Sequence, residues 1–385
     1  PMRIVIAPDS YKESLTALEV ATEIEAGFRE IFPDAEYLKL PMADGGEGTV
    51  AAMVTATGGT LIDVTVTGPL GDPVLAGYGL TGDGKTAIIE MAAASGLALV
   101  APPFRNPWKT TSYGTGELIM AALDNGVNHL IIGIGGSATN DGGAGMLQAL
   151  GVKLLDSSGG EIGFGGGSLS NLDRIDISAM DPRLKECRIE AACDVNNPLT
   201  GPKGASAVFG PQKGATREMV TELDANLIRY AGIINRDMGK QVDQVAGAGA
   251  AGGMGAALLV FFGANVKPGI EIVMEAVGLE AVIMNADLVI TGEGRIDSQT
   301  INGKTPIGVA RMAKRFGKPV IGIAGCLTND AAVVHEHGID AVFSVLSQAS
   351  TVDEALKNAA VNVRTASRNI AATLKLAREI QKGAF

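Results

Sequence analysis

The stretch RIVIAPDSYKES, residues 3–14, sets the architecture expected of this chain. Its apolar, β-branched first half is typical of a buried parallel strand, and its polar second half is typical of the turn that follows one. A helix is expected next, because Thr16 and Glu19 form a capping box and apolar residues recur at helical spacing until Pro33. The opening therefore predicts a strand, a turn and a helix in that order.

The same pattern recurs after this stretch and again in the last third of the chain. Strands are predicted at 37–42, 287–291, 319–324 and 341–345, and helices at 49–57, 306–316 and 330–337, before a closing helix begun by Thr351 and Glu354. Alternation of this kind is typical of a parallel sheet with crossover helices. We predict an α/β fold in which a Rossmann-like domain draws its parallel sheet from both chain ends.

The middle of the chain has a different texture. Residues 61–66 and 74–91 alternate like antiparallel strands around Gly-Pro and Asp-Gly turns. The Gly- and Ala-rich run 246–257 is interpreted as a tightly packed loop and helix. We therefore predict two unlike α/β domains: residues 1–60 with 285–385 form the first, and 61–284 form an inserted second domain with hairpin elements.

Composition narrows the class of protein. Hydrophobic residues make up 46% of the chain, charged residues 19%, and glycine occurs 52 times, which is typical of α/β enzymes with many tight turns. The net charge of −11 opposes binding to nucleic acid or to anionic membranes, because the mean field repels polyanions. Neither is expected as a partner.

Cysteine spacing and the start of the chain indicate a compartment. Cys187, Cys193 and Cys326 lack the paired spacing of a zinc site or a disulfide framework, which fits a reducing environment. The first strand begins at Arg3, which leaves no room for a targeting segment before it. No run of roughly 18 apolar residues suggests a membrane span. We expect a cytoplasmic protein.

Residues 79–86, GLTGDGKT, satisfy the Walker A expression for a phosphate-binding loop. Such a loop needs a helix that opens at its Lys-Thr pair. Here strand-like residues precede and follow the match, and Asp83-Gly84 is typical of a hairpin turn. We therefore predict a hairpin rather than a phosphate site.

A second glycine pattern comprises Gly133, Gly135 and Ala138, after an apolar strand, with Asp156 ending the next strand about twenty residues on. Taken alone, it suggests a dinucleotide-binding unit and hence an NAD-dependent oxidoreductase. Asp141 argues against this, because an acid at a helix start repels a pyrophosphate unless a metal ion intervenes. A metal-bound triphosphate removes that objection.

Acidic residues follow each major strand, beside glycines or small polar residues. They are Asp9 in PDSYKES, Asp44 and Glu47 in ADGGEG, Asp141 in GGSATNDGG, Asp194 in CDVNNP, and Glu293 and Asp297 in TGEGRID. Ligands of parallel sheets bind beyond the carboxyl ends of the strands. Phosphoryl transfer needs carboxylates for Mg²⁺, a base for the hydroxyl proton, and amides and cations for developing charge. Lys12 and Arg295 are candidate anion clamps.

At these residues the chain resembles the bacterial glycerate kinase family that makes 2-phosphoglycerate. The resemblance spans nearly the whole chain and is carried by long segments in the same order. They are APDSYKESLTA, MADGGEGT, DGKTAIIEMAAASGL, GIGGSATNDGGAGM, CDVNNPLTGPKGAS and ITGEGRIDSQTINGKTP. Several long segments are far more specific than a three-glycine pattern.

The resemblance implies two α/β domains with ATP and D-glycerate bound in a cleft between them, and Mg²⁺-assisted transfer of the γ-phosphoryl group. It implies glycerate near Asp9, Ser10, Lys12, Asp44 and Arg295. Nucleotide phosphates are expected near Gly135, Gly136, Ser137, Thr139, Asn140 and Asp141. Asp194 or Asp297 is expected to be the catalytic base. Asp141, Asp194 and Asp297 are the candidate metal ligands.

Several alternatives stay open from the sequence. The phosphorylated hydroxyl can be at position 2 or position 3 of glycerate. The NAD-dependent oxidoreductase based on Gly133–Asp156 is the rival enzyme, and a noncatalytic nucleotide-binding module is a third class. A homodimer is also left open.

Overall fold

A computed structural model describes residues 1–383 of the chain. Its strands, in chain order, are β1 (Arg3–Ile6), β2 (Glu36–Lys39), β3 (Thr60–Thr67), β4 (Pro73–Leu80), β5 (Thr86–Glu90), β6 (His129–Gly133), β7 (Lys153–Leu155), β8 (Arg174–Asp176), β9 (Arg188–Ala192), β10 (Asn265–Lys267), β11 (Leu288–Thr291), β12 (Arg295–Ile296), β13 (Val320–Ala324), β14 (Cys326–Leu327) and β15 (Ala341–Ser344).

The α-helices, in the same order, are α1 (Ala17–Arg29), α2 (Thr49–Thr57), α3 (Ala92–Ser95), α4 (Tyr113–Asp124), α5 (Ala144–Ala149), α6 (Ala205–Phe209), α7 (Arg217–Met238), α8 (Met254–Phe261), α9 (Gly269–Ala276), α10 (Leu279–Met284), α11 (Thr305–Arg315), α12 (Val352–Lys357) and α13 (Ala359–Gln381). Short 3₁₀ turns connect several of them. The chain divides into two compact units: unit 1 holds Pro1–Asp44, Ala51–Thr57 and the residues from Ile270 onward, and unit 2 holds Gly45–Val50 and Gly58–Gly269.

Unit 1 is built on a five-stranded sheet with the order β15-β13-β11-β1-β2. Every neighbouring pair in it is parallel. Ile4 pairs with Leu288 and Ile6 with Ile290, so the first strand of the chain lies directly beside a strand from its last third. The prediction of an α/β fold with a parallel sheet from both chain ends is confirmed. The predicted domain limits, near residues 60 and 285, stay a prediction.

The first helix begins and packs as its sequence predicts. Thr16 and Glu19 form the expected capping box at the start of α1, which satisfies backbone N–H groups that lack a helical partner. Helix α13 packs closely on α1 at Gly27, where an added Cβ would lie 2.4 Å from the backbone oxygen of Arg364. Gly27 therefore lets the two backbones approach.

Two predicted helices of unit 1 differ in the structure. The segment predicted as a helix at 330–337 forms a 3₁₀ helix, Ala331–His337, a tighter winding used in short pieces. The closing helix does begin after Thr351 with a capping box, but α12 ends at Lys357, and Asn358 separates it from α13. The apolar periodicity predicted the position of both segments. It did not predict that the first is a 3₁₀ helix or that the second is interrupted at Asn358.

Unit 2 contains a six-stranded mixed sheet with the order β10-β9-β6-β5-β4-β3. Strands β3, β4 and β5 pair antiparallel, whereas β5, β6, β9 and β10 pair parallel. The antiparallel elements predicted for the middle of the chain are confirmed. Ile89 and Ile132 are fully buried in the core of this unit, which places the parallel strands at its centre.

The Gly- and Ala-rich run forms a tight turn that leads into α8. Ala251 has φ 53°, and Gly252 and Gly253 also have positive φ. Positive φ is costly for a residue with a Cβ, so Ala251 holds a strained conformation. The interpretation of this run as a packed loop and helix agrees with Gly252, Gly253 and Met254 being buried.

Over residues 1–383, no helix is both long enough and apolar enough to cross a bilayer. Cys187, Cys193 and Cys326 are free thiols.

Candidate active site

Acidic side chains gather at the carboxyl edge of the sheet of unit 1. Asp9 follows β1, Asp44 follows β2, and Glu293 follows β11. These strands run parallel, so their carboxyl ends meet at one edge of the sheet, where ligands of such sheets bind. The backbone N–H of Asp9 donates to the carbonyl of Gly292 at 2.9 Å, which joins two of the loops.

Asp9 lies at the centre of this edge. Thr305 donates from Oγ1 to Asp9 Oδ2 at 2.6 Å, and the Ser10 backbone N–H donates to Oδ1 at 2.6 Å. Burial raises the pKa of Asp9 to about 6, and the charge of Asp44 adds to this while the hydrogen bonds from Thr305 and Ser10 oppose it. The structure therefore brings Asp9, Ser10 and Asp44 together.

Lys12 lies on a tight turn between Tyr11 and Leu15. The two ends exchange backbone hydrogen bonds at 2.9 Å, and the Tyr11 hydroxyl donates to the carbonyl of Ile323 at 2.7 Å. Lys12 itself is exposed. Its backbone lies close to Gly294, because a Cβ added to Gly294 would lie 3.5 Å from the backbone nitrogen of Lys12. The turn thus holds an exposed cation beside the loop after β11.

Arg295 and Asp297 form an ion pair on that same loop. Arg295 Nε lies 3.2 Å from Asp297 Oδ2, and the Arg295 side chain is 65% exposed. Asp297 also accepts a hydrogen bond from the Gln299 backbone N–H at 2.8 Å and caps the turn Ser298–Ile301. Arg295 is accessible to an anion, whereas the Asp297 carboxylate already has two partners.

Glu293 is one of the strand-end acids, but the sequence analysis predicts no specific function for it. Thr300 donates from Oγ1 to Glu293 Oε1 at 2.9 Å, and Lys304 Nζ lies 3.9 Å from the same oxygen. Burial raises the pKa of Glu293 to about 7; Lys304 and Thr300 oppose the shift, and Asp9 and Asp297 add to it. Carboxyl groups shifted in this way concentrate at functional sites.

The loop after β6, residues 135–143, is the main candidate site of unit 2. Gly136 has φ 76°, and an added Cβ at Gly135 would meet no atom within 4 Å, so there is open space beside this backbone. The loop packs against the glycine turn before α8, where the Gly142 N–H donates to the carbonyl of Gly252 at 2.9 Å. A Cβ at Gly252 would lie 1.9 Å from the carbonyl oxygen of Thr139.

Asp141 lies inside this loop and is 1% exposed. Its Oδ2 accepts from the Ser112 N–H at 3.0 Å, from Ser112 Oγ at 2.8 Å and from the Gly145 N–H at 3.2 Å, while Oδ1 accepts from the Gly143 N–H at 3.0 Å. Burial raises the pKa of Asp141, and these hydrogen bonds oppose the shift. A metal ion could reach this carboxylate only if some of these bonds were given up.

Lys213 is a functional candidate that the sequence reasoning missed. It is 2% exposed, and its Nζ donates to Ser137 Oγ at 2.8 Å and to the carbonyl of Thr139 at 2.7 Å. Burial lowers the pKa of Lys213 to about 7, with a smaller opposing effect of Asp141. Gly210 and Gly214 flank the turn that carries it, which was the available sequence signal.

Two of the predicted nucleotide residues, Thr139 and Asn140, carry buried polar atoms that lack a partner within residues 1–383. Thr139 Oγ1 and Asn140 Oδ1 are buried without a hydrogen-bond partner among the described residues, although Asn140 Nδ2 donates to Ser206 Oγ at 2.8 Å. Buried polar atoms are rarely left unpaired. Of the two, only the Thr139 hydroxyl has a proton that it could donate to a phosphate oxygen.

Asp194 lies beyond the end of β9. Its Oδ1 accepts from the Gly269 N–H at 3.2 Å at the start of α9. Burial raises the pKa of the thiol of the adjacent Cys193, which suits a packed side chain better than a nucleophile. Asp194 is the one predicted catalytic residue in unit 2.

Comparison with known proteins identifies the family. A profile described as the glycerate kinase family matches residues 4–375. The chain belongs to the glycerate kinase family. It is 65% identical to the Glycerate 2-kinase of Escherichia coli K12 over 97% of this chain and 98% of that one. It is 62% identical to the Glycerate kinase of Haemophilus influenzae Rd over 97% and 99% of the two chains.

A solved structure agrees with the fold of this glycerate kinase family member. A crystal structure of a candidate glycerate kinase 2 from Salmonella typhimurium LT2 matches with a TM-score of 0.91 and 65% identity. The match covers 98% of this chain and 99% of that chain. The family resemblance found in the sequence is confirmed.

The Walker-like segment of this family member is a hairpin, as predicted. Gly79 pairs with Ile88 across the antiparallel strands β4 and β5. Lys85 donates its backbone N–H to Asp83 within the turn, and Gly84 has φ 70°. No helix opens at Lys85, so the segment lacks the helix N-terminus that a phosphate-binding loop requires.

The rival dinucleotide-binding interpretation is wrong. A Rossmann unit needs its second strand in the same parallel sheet as the first, but β7 pairs antiparallel with β8 in a separate two-stranded sheet. In such a unit the acid at this position binds the ribose, but Asp156 accepts from the Ser158 and Gly160 N–H groups in a turn. The residues Gly133–Asp156 therefore give no support to an NAD-dependent oxidoreductase.

Within residues 1–383, no three His, Cys, Asp or Glu side chains are grouped so that they could hold a metal ion by themselves. This is compatible with magnesium chemistry in a kinase, because Mg²⁺ usually binds through one or two carboxylates together with substrate phosphates. Asp141, Asp194 and Asp297 stay predictions as ligands of that kind.

Proposed function

We propose that the protein transfers the γ-phosphoryl group of ATP to the 2-hydroxyl of D-glycerate and so forms 2-phosphoglycerate and ADP. The observation that carries this proposal is the 65% identity, over 97% of the chain, to a relative named Glycerate 2-kinase. The strand-edge acids and the polar glycine loop supply the kinds of groups that phosphoryl transfer requires. Phosphorylation at position 3 is the alternative that an assay must exclude.

Glycerate is assigned to the acidic edge of unit 1. Lys12 and Arg295 are exposed cations beside this edge, and either can pair with the glycerate carboxylate, with Arg295 able to bind it in a bidentate manner. The carboxylates of Asp9 and Asp44 can accept hydrogen bonds from its hydroxyl groups, and the Ser10 hydroxyl can donate or accept one. The pairing of Arg295 with Asp297 supports this role, because it orients the guanidinium.

The nucleotide phosphates are assigned to the loop of residues 135–141 in unit 2. Open space beside Gly135 allows phosphate oxygens to approach the backbone, as glycine does in other phosphate sites. Lys213 fixes the Ser137 hydroxyl and the Thr139 carbonyl, so this short stretch is held in one conformation. Asp141 stabilises the loop, because its carboxylate accepts hydrogen bonds from Ser112 and from two glycine N–H groups.

We propose that Mg²⁺ binds together with the nucleotide. When bound, it neutralises charge on the phosphate oxygens, and Asp194, Asp297 or Asp141 would hold it from the protein side. Asp194 or Asp297 is also the base that the family resemblance predicts. A cytoplasmic location and a homodimer stay predictions.

The proposal is tested by measuring ADP formation with purified protein, Mg²⁺ and ATP. D-glycerate should stimulate ADP formation strongly over L-glycerate and over D-lactate, which lacks the 3-hydroxyl. A matched incubation with NAD and D-glycerate should give no absorbance of NADH. NADH formation, or ADP formation that is indifferent to D-glycerate, would refute the assignment.

A further inference from the structure

Glu293 occupies a central position at the acidic edge of unit 1. It follows β11, the middle strand of the five-stranded sheet, and only 13% of its side chain is exposed. Asp9 follows the adjacent strand β1, and the backbone hydrogen bond from Asp9 to Gly292 joins the two loops. The two acids therefore lie in neighbouring loops of one rigid sheet edge.

The two acids are held by hydroxyl groups rather than by strong ion pairs. Thr300 donates to Glu293 Oε1 and Thr305 donates to Asp9 Oδ2. Lys304 is 3.9 Å from Glu293 Oε1, and its side chain is 42% exposed, so solvent weakens this attraction. Among the described residues, Glu293 Oε2 accepts no hydrogen bond. One oxygen of a largely buried carboxylate is thus left to take a proton.

The charges around the pair strengthen Glu293 as a proton acceptor. Asp9 and Asp297 act against ionisation of Glu293, and Lys304 favours it. Burial raises the pKa of Tyr11, and the charge of Glu293 adds to that shift. A base is most effective when its pKa lies near the working pH, and the pKa of Glu293 is raised to about 7. Such an arrangement costs stability, which suggests that it serves the reaction.

Asp297 is less suited to this role. Its carboxylate caps the turn after it and pairs with Arg295 at 3.2 Å. Its Oδ1 accepts from the Gln299 N–H and its Oδ2 contacts the guanidinium, so both oxygens are already engaged. Its neighbour Glu293 has no such pairing.

We propose that the carboxylate of Glu293 takes the proton from the glycerate hydroxyl during phosphoryl transfer, and that Asp9 is the neighbouring charge that makes it a better acceptor. This rests on the proposed function. The hydroxyl O–H bond breaks and its proton moves to Glu293 Oε2, while the hydroxyl oxygen bonds to the γ-phosphorus. The bond from the γ-phosphorus to the bridging oxygen breaks, and its electron pair leaves with ADP. Glu293 then releases the proton to solvent.

The test compares Glu293→Gln and Asp9→Asn by kcat, KM for glycerate and the pH dependence of kcat/KM. Glu293→Gln should lower kcat by about 100-fold or more, change KM for glycerate less than about threefold, and remove the acid limb of the profile. Asp9→Asn should keep that limb and move it to lower pH by roughly half a unit, because a like charge is gone. Asp194→Asn should keep it in place, whereas Asp297→Asn should keep it but move it to lower pH as Asp9→Asn does, because Asp297 also acts against ionisation of Glu293.

Glu280→Gln is the matched control, since Glu280 is an exposed partner of Arg315 on the surface and should behave as the native protein. Glycerate binding measured by calorimetry shows whether Glu293→Gln is folded. If it is not, Glu293→Asp should retain the acid limb with a lower kcat, and loss of that limb would count against the proposal. Native kinetics for Glu293→Gln, or loss of the acid limb in Asp297→Asn or Asp194→Asn instead, would overturn the inference. An inactive native protein would instead refute the proposed function.

Discussion

Replacing Lys213 with Met should change how the stability of unit 2 depends on pH. Burial lowers the pKa of Lys213 from 10.5 to about 7. The folded protein therefore binds fewer protons than the unfolded chain between these values, and this contribution to stability rises with pH. Each pH unit over which only the unfolded chain is protonated adds about 1.4 kcal/mol.

Between pH 7 and pH 9 this amounts to about 2 kcal/mol, because Lys213 is only half deprotonated at the lower end. The native protein should gain this stability over the Lys213→Met variant on going to pH 9. The side chain of Met keeps the apolar volume but leaves Ser137 and the Thr139 carbonyl without their donor.

Urea unfolding followed by Trp108 fluorescence measures this difference. Trp108 is the single tryptophan and belongs to unit 2, as Lys213 does. Lys240→Met is the matched control, because Lys240 also donates to a backbone carbonyl, at 3.2 Å from Val260 O, but is exposed. A stability difference between native protein and Lys213→Met that stays constant from pH 7 to pH 9 would refute the reasoning.

Two further substitutions separate loop structure from phosphate binding. Lys85→Ala should leave kcat/KM for ATP within about threefold of the native value, because Lys85 lies in a hairpin turn; a drop of about 100-fold, the size expected for a lost transition-state contact, would contradict this. Asp141→Asn should destabilise unit 2 by about 1–3 kcal/mol, because the amide nitrogen cannot accept the bonds from Ser112, as seen in a lower urea midpoint. Native stability with an altered Mg²⁺ requirement would indicate a metal ligand instead.

The fold was predictable where local patterns and tertiary structure agree. The capping box at Thr16 and the apolar repeat after it locate α1 because helix signals are local. The Asp-Gly turn at Asp83 identified the hairpin despite the Walker A match. By contrast, the glycine pattern before Asp156 suggested a dinucleotide-binding unit that the strand pairing does not support. Strand pairing is decided by distant residues, and β7 pairs with β8.

The candidate site was predictable only in part, for a related reason. Strand-end position identified Asp9 and Glu293, since parallel strands deliver their ends to one edge. The hydrogen-bond partners of an acid come from elsewhere in the chain. Ser112, for example, donates to the Asp141 carboxylate from 29 residues away. Lys213 reaches Thr139 across 74 residues, and no spacing rule predicts such a contact.

The most direct test of the proposed function is proton-coupled ³¹P NMR of the product made from D-glycerate and ATP. A phosphate on the 2-hydroxyl is coupled to the single proton on C2 and gives a doublet, whereas a phosphate on the 3-hydroxyl is coupled to the two protons on C3 and gives a triplet. We expect a doublet that grows in step with ADP. A triplet would contradict phosphorylation at position 2, and the absence of any new phosphate ester would contradict the kinase activity itself.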